Sequence, residues 1–118
     1  MAWAKKAGGS GGDYGRSISA LKDGSSFITG EFQGTASFGT TTLTSAGSND
    51  VFVAKLNADG EYEWAKKAGG SGGDIGISIS ALADGSSFIT GSFGGTAIFG
   101  DISLTATNLV GESIAGGK

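Results

Sequence analysis

An eleven-residue string, Trp-Ala-Lys-Lys-Ala-Gly-Gly-Ser-Gly-Gly-Asp, occupies residues 3–13 and returns letter for letter at 64–74. It is the most exact part of a longer repeat. Sliding the chain by 61 residues aligns 3–44 with 64–105, and 33 of those 42 positions are identical. The nine that differ are 14, 16, 22, 31, 33, 37 and 40–42. A repeat of this length is a stacked supersecondary unit rather than an independent domain, because one such unit cannot bury its apolar face alone. The chain divides into a first unit, residues 1–63, and a second, 64–118, whose end diverges. Near-identity this high points to recent duplication or to deliberate construction.

Inside each unit the side chains alternate with period two, and no segment carries a helical period. In the first unit the expected strands are 17–21, Ser26–Phe32, Thr35–Phe38, Thr41–Thr44, Asp50–Leu56 and 61–66. Turn residues separate them: Asp23-Gly24, Gly39 and Asp59-Gly60. The segment Asp50–Leu56 is apolar on both faces up to Lys55, as suits a strand buried between neighbours. In the last strand Tyr62 and Trp64 are expected to share one face, with Glu61 and Glu63 on the other. The 24 glycines and the absence of proline fit short strands joined by tight turns, so the expected class is all-β. A unit of 61 residues with four main strands and an extra hairpin suits a propeller blade built of short, mostly antiparallel strands.

The second unit repeats this pattern at 77–82, Ser87–Phe93, Thr96–Phe99 and Ile102–Thr105. After Thr107 it departs. Where the first unit has residues 47–56, the second has Asn108-Leu109-Val110-Gly111-Glu112-Ser113-Ile114-Ala115-Gly116-Gly117, with only Val110, Ile114 and Ala115 keeping an apolar pattern. The third strand of the second unit is thus replaced or lost, and a fourth is absent.

Gly69-Gly70-Ser71-Gly72-Gly73-Asp74, Ile79-Ser80-Ala81-Leu82-Ala83-Asp84-Gly85 and Phe88-Ile89-Thr90-Gly91-Ser92-Phe93 together resemble the bacterial β-propeller repeat family known as SBBP. Gly95-Thr96-Ala97-Ile98-Phe99-Gly100 continues the pattern, as do residues 50–60 of the first unit. The resemblance covers roughly residues 3–105. It implies extracellular or cell-surface bacterial proteins in which propellers serve as scaffolds. No signal peptide is read before Trp3, so that setting is expected from the resemblance alone, and fold resemblance does not itself imply an activity.

Two blades do not close a ring, and their open edges expose unpaired backbone groups. The expectation is therefore that the tail, 109–116, pairs with the Trp3 strand of another copy, so that homo-oligomerisation completes the ring. Trp3, Lys5, Val110 and Ile114 are the expected assembly residues. A trimer gives six blades and a tetramer eight, since head-to-tail contacts close when the rotation fits.

Other motifs carry competing readings. Gly-Gly-Ser-Gly-Gly-Asp is similar to a calcium-binding turn of parallel β-helices. It lacks the apolar residue two positions past Asp and does not recur every nine residues, which favours a glycine-rich crossing. One carboxylate at each Asp-Gly turn fits turn chemistry better than a hard cation. Lys5-Lys6 and Lys66-Lys67 place one ammonium on each face of a strand near Glu61 and Glu63. They suit cross-strand ion pairs or edge protection, with an anion or glycan as the alternative. Trp3, Tyr62 and Trp64 are the candidate stacking platforms for a sugar, against a packing role between units.

Enzymatic chemistry finds little support. With no His and no Cys, the usual general base, thiol nucleophile and soft metal ligands are missing, and disulfides are excluded. No Gly-x-Ser-x-Gly elbow is present. The net charge of −3 and eight dispersed basic residues give no basic face for nucleic acid, and no run approaches a membrane span. The expectation is a non-catalytic, cofactor-free scaffold that partners itself, with a carbohydrate-binding propeller as the alternative.

Overall fold

The computed structural model describes residues 4–45, 49–70, 75–82, 84, 87–93, 96–99, 102–105 and 112–117, with backbone alone for 75–77, 89 and those beyond 93. Every regular element among them is a strand, and every pairing is antiparallel. The protein is all-β.

The first unit forms a four-stranded ladder. Its members are β2 (Asp13–Ala20), β3 (Ser26–Phe32), β6 (Asp50–Leu56) and β7 (Tyr62–Gly70), paired in that order. Between β3 and β6 the chain makes a hairpin of β4 (Thr35–Phe38) and β5 (Thr41–Thr44). That hairpin leaves its own ladder and pairs with β1 (Gly8–Gly9), where Gly8 stands opposite Ser37. The second unit does the same one step along. Its hairpin, β10 (Thr96–Phe99) with β11 (Ile102–Thr105), hangs on the far end of β7, with Gly69 opposite Ile98. Each hairpin thus clasps the two-glycine end of the preceding outer strand.

The rest of the second unit is a three-stranded sheet of β8 (Ile75–Ala81), β9 (Ser87–Phe93) and β12 (Glu112–Gly117). The tail replaces the third strand. Phe93 faces Glu112 as Phe32 faces Asp50, so β12 holds the place of β6 despite its different letters. β8 lies flat against β2 and β3, stacking one unit on the other.

Several bounds differ from the period-two reading. β2 starts at Asp13 rather than 17, β8 at Ile75 rather than 77, and β7 runs to Gly70 rather than 66. Glycine contributes a backbone ladder but no side-chain alternation, so strands that run through glycine are longer than their pattern. Of the strand expected from Trp3 onward, Gly8–Gly9 form β1 and 4–7 join no ladder, while Trp3 lies outside the described residues.

The core fills the space between β3, β6 and the hairpin. Phe32, Ala36, Phe38, Phe52 and Ala54 are buried together, with Ile28, Leu43, Tyr62, Ala65 and Ala7 packed on their margin. Phe38 is the hub: its ring meets Phe32 at 6.4 Å, Phe52 at 4.9 Å and Tyr62 at 6.0 Å. Edge-on and tilted ring pairs of this kind add attraction to the area they bury.

Candidate functional site

Tyr62 and Trp64 do not share a face. The ladder between β6 and β7 carries a bulge: Lys55 faces Trp64, and the adjacent Leu56 faces Tyr62, leaving Glu63 over. Neighbouring residues of β6 point to opposite faces, so the extra residue turns the two aromatics apart. Tyr62 packs on Phe38, and Trp64 packs edge-on at 5.9 Å on Phe27, which lies on the other face. The two rings present no common platform. Burial holds the Tyr62 phenol above its ordinary value of 10.0, and its hydroxyl donates to the Lys6 carbonyl at 3.5 Å.

The paired lysines do alternate across the strand. Lys66 sits 5.7 Å from the Trp64 ring, and Lys67 donates to the Thr44 carbonyl at 2.6 Å. Glu63 pairs with Lys55 at 3.2 Å, across the same bulge, and Glu61 accepts from Asn57. The expected lysine–glutamate pairs give way to lysine contacts with a ring and a carbonyl.

At the glycine-rich string, the Asp13 carboxylate accepts the Gly9 amide at 3.0 Å and closes the loop on itself. A Cβ at Gly9 would stand 2.0 Å from the Thr35 carbonyl oxygen, so only glycine allows β1 to reach β4 there. Residues 71–74 of the second copy lie outside the described residues.

The turns follow side-chain chemistry. Asp23 accepts both the Ser25 amide and its hydroxyl, at 2.9 and 2.5 Å, while Gly24 takes φ 90°. Those bonds from Ser25 hold the Asp23 carboxyl below its ordinary value of 3.8. In the turn at 57–60 the organiser is Asn57 rather than Asp59, since its carbonyl accepts from the amides of Asp59 and Glu61. Gly85 lies outside the described residues.

One polar group escaped the sequence reading. Glu31 is 3% exposed and carries Arg16 across the β2–β3 ladder, with Arg16 Nε donating at 2.8 Å and Nη2 to the same oxygen. In the second unit these positions are Ile77 and Ser92, so both partners change together. That joint change among the nine differences was the available signal.

Two pairs of identical residues differ sharply in exposure between the units. Ile18 is 64% exposed, whereas its copy Ile79 is 6% exposed beneath the contact of β8 with β2 and β3. Phe27 is 0% exposed, whereas its copy Phe88 is 55% exposed. A third pair, Phe32 and Phe93, is buried in both units. At this contact the Ala81 amide donates to Ser19 Oγ at 3.1 Å.

Of the expected assembly residues, Lys5 lies in the unladdered segment 4–7, and Ile114 lies in β12 opposite Gly91. Trp3 and Val110 lie outside the described residues. Among the described residues, no group of three or more metal-ligating side chains gathers and no helix is long and apolar enough to cross a membrane. Compared with known proteins, the chain matches no family model and no curated protein.

Proposed function

We propose that the chain is a non-catalytic pair of β-propeller blades that assembles head to tail into a ring and serves as a structural or interaction scaffold. The observation that carries this reading is the unequal fate of one string. Residues 65–68 pair with β6 while Gly69 and Gly70 are clasped by the next hairpin. Residues 4–7 have the same letters, and Gly8 and Gly9 are clasped in the same way, yet 4–7 have no ladder. Meanwhile β12 pairs with β9 on one edge and with no described strand on the other. A segment outside any ladder and an edge with no described partner in one molecule favour strand addition between copies.

The repeat fixes the register. Val51 faces Ala68 in the first unit, so Ser113 of one copy faces Ala7 of the next. The four-stranded first unit and the clasping hairpins of both units support the propeller, and the resemblance of 3–105 to SBBP repeats supports it and a cell-surface or extracellular setting.

A chain carrying Ala7→Cys and Ser113→Cys tests this directly, because the protein has no cysteine of its own. Mild oxidation gives intermolecular disulfides and a ladder of covalent multimers on a non-reducing gel, since facing Cα atoms lie within disulfide reach. Failure to cross-link under oxidation contradicts the register. A glycan array then separates the scaffold from a carbohydrate-binding propeller: persistent assembly with no bound sugar supports the scaffold, and specific sugar binding supports the other.

A further inference from the structure

We propose that the face of the first unit bearing Ile18 docks on the face of the second unit bearing Phe88 in another copy of the chain. This rests on the self-assembly reading above and names the surface through which it acts. The contact already exists once within the molecule. Phe27 and Ser19 stand opposite each other in the β2–β3 ladder and share the face that looks onto β8. From the other side β8 brings Ile79, and its Ala81 amide meets Ser19 Oγ.

Each molecule carries a second, unused set of both halves. Ile18 is the copy of Ile79, and it lies 64% exposed on the outer face of β2. Phe88 is the copy of Phe27, and it lies 55% exposed with Ser80 opposite. Leu82, just beyond Ser80, is 46% exposed as well. Phe27 is covered by Trp64 as well as from the β8 side, whereas no described strand of the second unit places a counterpart of Trp64 over Phe88. Two apolar faces whose residues already fit each other within the chain make a second copy the occupant. Repeating the internal step places Ile18 of one copy over Phe88 of another and offers Ser80 Oγ to the Ala20 amide. The contact is heterologous: each copy uses a different face.

Two variants test it, Ile18→Lys and Phe88→Lys, each exposed in the isolated chain and so compatible with its fold. The wild type is expected to associate, and each variant alone to run as an 11.6 kDa monomer with unchanged strand circular dichroism. Association should weaken by at least about thirtyfold, the range of a central apolar anchor. Ile18→Val and Phe88→Leu, which keep the faces apolar, should assemble like the wild type. Mixed in equal amounts, the two lysine variants retain one intact contact between them and should give a one-to-one dimer.

Wild-type assembly left unchanged by both lysine variants overturns this docking surface and leaves the self-assembly reading standing. So does a mixture that forms no dimer. A monomeric wild type overturns both.

Discussion

At the scale of single residues, Glu31 shows how the two copies solve one position differently. A carboxylate at 3% exposure needs a partner, and Arg16 supplies it in the first unit, whereas the second unit has Ile77 and Ser92. Removing the guanidinium alone leaves the carboxylate unsatisfied. Arg16→Ala should therefore lower stability by about 1–3 kcal/mol in urea unfolding. The double change Arg16→Ile with Glu31→Ser, which installs the second unit's residues, should stay within about 1 kcal/mol of wild type. Equal losses from the single and double variants would contradict the pairing. The nine differing positions made this pair visible in principle. Tyr62 and Trp64 were not so legible, because a bulge leaves no mark on the spacing of letters and yet sends the two rings to opposite faces.

At the scale of elements, period-two alternation located the strands of both units and the clasping hairpins. Their lengths were hidden where they pass through glycine, as in β2 and β7. The tail was harder: β12 keeps little of the apolar pattern of β6 yet takes its register, because the ladder is made by backbone groups. The β2–β3 turn has a pH signature. Hydrogen bonds from Ser25 lower the folded-state value of Asp23, so the stability they contribute is present above 3.8 and is lost as pH falls through the lower folded value. The midpoint of thermal unfolding of Asp23→Asn should lie below wild type at pH 6, and the gap should close toward pH 3. A gap that stays constant over that range would assign the loss to something other than the ionised carboxylate.

At the scale of the whole molecule, the sequence made two stacked units legible but not which faces they leave open. Ile18 and Ile79 sit in the same local string, as do Phe27 and Phe88; the stacking of β8 covers Ile79, and β8 together with Trp64 covers Phe27. The β12 edge that no described strand pairs, the unladdered segment 4–7 and the exposed Ile18 and Phe88 support the proposed head-to-tail step. Repetition of the proposed step would close a ring once the rotation sums to a full turn. Native mass spectrometry of the unmodified chain tests this most directly. The account predicts one closed species at three or four times 11.6 kDa, with its mass independent of concentration above the association range. A stable species at 11.6 kDa across that range would contradict it.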